Sequence, residues 1–101
     1  MPIHDLKSQI AFHEQFTPKP LYKDAHSKAM LVCLDQGQQI PAHAESHQGF
    51  FYVIEGAGTF LGGEGEVPVQ AGQLVIAVSG STRGFRADQG RLVLLATALL
   101  L

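Results

Sequence analysis

Residues 37–58 read GQQIPAHAESHQGFFYVIEGAG, and the fold turns on how this stretch is parsed. Glycine takes positive φ without steric cost, so Gly37 at one end and Gly56 and Gly58 at the other mark turns. Gln39 to Glu45 is a strand that carries His43 and Glu45 near its end. A short polar loop follows. Phe50 to Ile54 is an aromatic and β-branched run, the composition that packs best on a pleated surface. Residues 72–86, GQLVIAVSGSTRGFR, repeat the arrangement of turn, apolar strand, Gly-rich turn and strand.

Working outward from this stretch, short apolar runs alternate with Gly-rich turns every eight to twelve residues. Strands are predicted at Ala29–Leu34, Gln39–Glu45, Phe50–Ile54, Thr59–Leu61, Glu66–Val69, Leu74–Val78, Arg83–Arg86 and Arg91–Ala98. A turn at Glu55–Gly58 closes the third, and Gly62–Gly65 is a hairpin signal. No stretch after residue 28 sustains a helical period. The pattern predicts an all-β antiparallel barrel or sandwich of eight or nine strands. Residues 1–27 are polar and broken by Pro18 and Pro20. They read as an N-terminal arm with one edge strand at Ile10–Phe16, leaving Thr17–Pro20 extended but unpaired. Residues 28–101 form the barrel domain.

Composition narrows the function. A chain of 101 residues holds one core, and 46% apolar against 16% charged residues is ample to bury one. A net charge of −2, with seven scattered Lys and Arg, argues against nucleic acid and anionic membrane as partners. The single cysteine, Cys33, allows no internal disulfide and suits a reducing cytoplasm. It sits in an apolar strand, where an inert buried thiol is the default. The N-terminus lacks the apolar segment of a signal peptide. The apolar run Leu92–Leu101 is about half of what spans a bilayer.

The spacing then resembles the cupin family of small jelly-roll barrels, across residues 28–98. That family's first motif runs glycine, five residues, His-x-His, three or four residues, Glu, six residues, glycine. Gly37, His43 and Gly56 fall in register, with Glu45 at the second His and Gly49 at the Glu. The second motif runs glycine, five residues, proline, one residue, glycine, two residues, His, three residues, Asn. Gly72 and Gly80 match it, whereas Val78, Arg83 and Ala87 replace the proline, His and Asn. The spaced glycines, which record turns, are kept. Of the family's metal ligands only His43 remains.

The resemblance implies a jelly-roll barrel whose ligand positions point inward. His43 and Glu45 then share a face, as residues two apart on a strand do. Arg83 and Phe85 enter from another strand, with Phe51 and Val53 as apolar walls. Arg83 also has the alternative of packing its stem and wetting its head. Where it turns inward, Glu45 is its expected partner, since each is costly to bury alone. His47, four residues beyond His43, is expected in solvent on a hairpin tip. No cofactor is expected: a metal has only His43, Glu45 and His47 to draw on, and arginine offers no lone pair.

The reading that follows is a metal-poor barrel that binds a small anionic molecule among His43, Glu45 and Arg83. The alternatives are a metal-dependent dioxygenase, isomerase or lyase on His43 and Glu45, or a structural accessory dimer. A homodimer is expected as well: Leu92–Leu101 is apolar on both faces, and either the N-terminal arm or another subunit must cover the second.

Overall fold

The computed structural model describes residues 2–100. After a single 3-10 turn at Lys7–Gln9 come eight strands: β1 Lys19–Lys23, β2 Ser27–Leu34, β3 Gln39–Ala44, β4 Gln48–Gly62, β5 Gly65–Gln70, β6 Leu74–Ala77, β7 Thr82–Arg86 and β8 Leu92–Leu99. They pair into one curled sheet in the order β1-β2-β8-β4-β7-β3, with β5 and β6 also on β4. Each pairing is antiparallel. This is the jelly-roll barrel that the resemblance implies, within the all-β class expected from the turn spacing. Among the described residues no helix is long and apolar enough to cross a membrane.

β4 makes the curl. Its first half pairs with β8 and β6, its second half with β5 and β7. The glycine spacing predicts two strands and a turn here. Instead the chain runs on as one strand of 15 residues. A bulge lies between Val53 and Glu55, and Gly56 takes φ +84°. Such a bulge bends a strand and increases its twist without breaking the ladder, so one strand serves both layers. A side chain at Gly56 would run into the Arg91 carbonyl before β8.

The inward residues of these strands form the core: Val32 and Leu34 of β2, Val53 of β4, Phe85 of β7, and Leu92 and Leu94 of β8. Phe85 is the hub, with ring centroids 5.1 Å from Phe51 and 5.3 Å from Phe60, both tilted. Tilted pairs of this kind add about 0.5–1.5 kcal/mol beyond burial.

The N-terminal arm supplies an edge strand, at Lys19–Lys23 rather than at Ile10–Phe16. Pro20 fits there because an edge strand need not donate every N–H. Residues 10–16 are held without a ladder. The Gln38 amide donates to the His13 and Glu14 carbonyls at 2.6 and 3.0 Å, and the Arg91 guanidinium lies 4.2 Å over the Phe12 ring. The apolar run at the C-terminus becomes β8, central in the sheet between β2 and β4. Leu92 and Leu94 face the core and Val93 is also buried. Leu101, the last residue of the run, lies outside the described residues.

Candidate functional site

A cavity of about 160 Å³ opens at one end of the barrel. Its walls are Phe51 of β4, Phe85 of β7, Ile40 of β3, Met30 and Val32 of β2, and Phe16 and Pro18 of the arm. Polar groups converge on it from three directions: His43 and Glu45 at the end of β3, His47 before β4, and Arg83 on β7, with Lys28 from β2. Val53 shares the inward face but lies deeper, fully buried in the core, and does not reach the cavity wall.

β3 and β7 set the geometry. His43 and Arg83 are directly opposed in the antiparallel register, which brings Cβ atoms to about 5 Å. Arg83 turns inward and is only 4% exposed. Its head is gripped by backbone rather than by a carboxylate. Nη2 donates to the Val78 carbonyl at 2.8 Å and to Ser81 Oγ at 3.3 Å, while Nε donates to the Ser81 carbonyl at 3.3 Å. Nη1 is buried without a partner. A Cβ placed on Gly49 would lie 2.9 Å from that Nη1. The guanidinium therefore occupies the space that a side chain at position 49 would need.

The expected Arg83–Glu45 pair does not form. Glu45 instead takes His43 Nε2 at 2.9 Å on one oxygen and lies 3.7 Å from His47 Nδ1 on the other. The reason is the bend after β3. The Gly80 amide donates to the Glu45 carbonyl at 2.7 Å, and Ser79 Oγ donates to the Ser46 carbonyl. These bonds turn the chain sharply, so His47 is swung back to the cavity instead of out to solvent on a hairpin tip. His43 Nδ1 lies 2.8 Å from the Pro41 carbonyl. Both ring nitrogens of His43 thus face acceptors.

The wall residues Ile40, Met30, Val32 and Pro18 were not singled out in the sequence, and two further contributors gave the weakest signal of all. Phe16 comes from a polar arm, where its single aromatic ring is the only signal. Lys28 is the first inward residue of β2 that reaches the mouth, and nothing in its neighbourhood distinguishes it from a surface lysine.

Set beside known proteins, the chain matches the family described as "Cupin domain" over residues 30–97. It belongs to the cupin family. No curated protein sequence matches it. Solved structures agree on the fold. An RmlC-like cupin from Desulfovibrio desulfuricans is 24% identical, covers 99% of this chain and 97% of its own, and superposes with a TM-score of 0.88. TT1209 from Thermus thermophilus is also 24% identical, with 98% and 97% covered and a TM-score of 0.90. The DMSP lyase DddQ from Ruegeria pomeroyi DSS-3 is 18% identical over 85% of this cupin and 47% of its own chain, with a TM-score of 0.76. The fold alone therefore does not assign a reaction, and activity has to be argued from the site.

Cupins often hold a divalent metal, and the side chains here do not fit one. Among the described residues no three His, Cys, Asp or Glu side chains are grouped to hold an ion. At the four family ligand positions stand an imidazole with both nitrogens engaged, a carboxylate set between two histidines, a glycine, and a guanidinium. A metal ligand must offer a lone pair, which guanidinium does not. Its charge opposes a cation besides.

Proposed function

We propose that this cupin binds a small organic molecule through a carboxylate or similar anionic group, without a metal. One observation carries the reading: the buried Arg83 guanidinium has an unpartnered Nη1 in the residue set that lines the cavity. An unsatisfied buried donor on a charged group is expensive, on the order of 1–3 kcal/mol or more, and a carboxylate oxygen from a ligand removes that penalty with a charge-assisted bond. The mouth supports the same sign of ligand, since Lys28 joins Arg83 while Glu45 is already engaged by His43 and His47.

Size and walls narrow the chemistry. A dry cavity of about 150 Å³ admits benzene, so about 160 Å³ suits a molecule of roughly that bulk. The apolar lining of Phe51, Phe85 and Ile40 takes its body, and the polar mouth orients it. Benzoate and hexanoate are the natural probes.

Thermal melts with each probe test the reading. A ligand at one hundred times its Kd stabilises by about 2.7 kcal/mol, which raises the melting temperature of a domain this size by on the order of 10 °C. The matching amides, benzamide and hexanamide, should give little shift. Arg83→Met keeps the bulk and removes the donor, so its shift with benzoate should vanish. Equal shifts for acid and amide, or for wild type and Arg83→Met, would refute the proposal.

A further inference from the structure

The mouth of the cavity has a floor as well as an anchor. Directly opposed residues of paired strands share a face of the sheet, so the register of β2, β8 and β4 sorts the lining into rows. Lys28, Ala98 and Gly49 stand side by side in the outermost row, and Met30, Ala96 and Phe51 form the next one inward. All six line the cavity. The outer row thus runs from a lysine, over two small residues, to the spot beneath Arg83, whose Nη1 lies 2.9 Å from a Cβ built on Gly49. Lys28 and Gly49 are two strand spacings apart, about 10 Å between Cα atoms. A lysine stem is long and flexible, so the ammonium can close part of that span.

From this row we infer that the cavity takes a dicarboxylate, with one carboxylate on Arg83 Nη1, the other on Lys28, and the carbon chain lying over Ala98. The inference rests on the reading of Arg83 as a carboxylate anchor and adds a second anchor to it. Charge is the first argument. No ion pair among the described residues includes Lys28. Its neighbour across the ladder on β1 is Lys23, likewise without an ion pair, and like charges directly opposite destabilise a sheet. The nearest carboxylate in sequence, Asp24, is taken up by the Tyr22 hydroxyl and by the His26 and Ser27 amides. An anion at Lys28 relieves that repulsion. Space is the second argument. Gly49 and Ala98 leave open the span between the two cations, which larger side chains there would fill. The walls are the third. Met30 and Phe51 in the next row accept methylenes, which an inorganic anion lacks, whereas a monoacid held on Arg83 leaves Lys28 unanswered.

Hexanoate and adipate differ only in the second carboxylate, so the pair isolates this inference in calorimetric titrations of the full chain. Adipate should bind the wild type about fivefold tighter, the upper reach of a partly exposed ion pair. Lys28→Met keeps the length of the stem and removes the charge, and should bring the two acids level. Lys28→Gln serves the same purpose if the methionine variant does not fold, and Lys28→Arg should retain the preference for adipate. Hexanoate binding as tightly as adipate in the wild type would overturn the inference and leave the reading of Arg83 standing. So would a preference for adipate that both uncharged variants keep. Binding of neither acid would overturn both.

Discussion

At the scale of single residues, the two arginines Arg83 and Arg86 show how burial decides a role. Arg86 is paired with Glu66 at 2.6 Å and with Asp88 at 3.1 Å near the surface, where such contacts contribute little. Arg83 is sealed in the barrel with one nitrogen unanswered, and that is why it, not Arg86, is the proposed anchor. Asp24 offers a separate test of local electrostatics. It accepts from the Tyr22 hydroxyl at 2.7 Å and from the His26 and Ser27 amides at 2.8 Å each. The Tyr22 bond first, then the two amides, lower its carboxyl from an ordinary 3.8 to about 2. A depressed carboxylate stabilises the fold above its unfolded value and loses that contribution as pH falls through the folded one. Asp24→Asn should therefore melt below the wild type at neutral pH, with the gap closing between about pH 4 and 2 in a series of melts. A gap that persists at pH 2 would mean the carboxylate's charge is not what matters. Of the cavity lining, His43, Glu45, Phe51, Arg83 and Phe85 were legible, because the cupin resemblance implies which positions point inward and strand parity puts residues two apart on one face. Their partners were not. Arg83 chose backbone carbonyls made available by the Val78–Ser81 turn, and no residue pattern announces a carbonyl.

At the scale of elements, the glycines carried the fold and misled only once. Gly37, Gly56, Gly72 and Gly80, the four that keep the cupin spacing, all have positive φ, between 84° and 92°. Three of them are turns as expected. Gly56 is not: it lets β4 bend under the Arg91 carbonyl and continue. Positive φ serves a turn and a bulge equally well, so residue type alone could not separate them. Gly56→Ala should destabilise by more than about 2 kcal/mol, combining a strained backbone with a collision against the backbone leading into β8 that cannot relax. In urea melts that appears as a lower midpoint at unchanged slope. A wild-type midpoint would show that the close approach at β8 is not needed. His47 failed for the converse reason. Extending the strand places it about 13 Å from His43, but the hydrogen bonds at Glu45 and Ser46 fold the chain back. Those bonds are long-range, from residues 79 and 80, and lie outside what local pattern reports. The edge strand moved from Ile10–Phe16 to Lys19–Lys23 in the same way, since pairing with β2 overrode composition.

At the scale of the molecule, the barrel keeps the cupin frame while its ligand positions have changed chemistry together. A cation, Arg83, stands where a metal ligand would, the position that would bring a carboxylate is Gly49, and the cavity is lined by rings. Anion for cation is the exchange this arrangement favours. The most direct test is a calorimetric titration of refolded protein, freed of anything carried through purification, with benzoate and with zinc in parallel. Benzoate should bind one to one in a way that Arg83→Met abolishes, and zinc should show no stoichiometric binding. Tight one-to-one zinc binding that His43→Ala removes, with no response to benzoate, would contradict it.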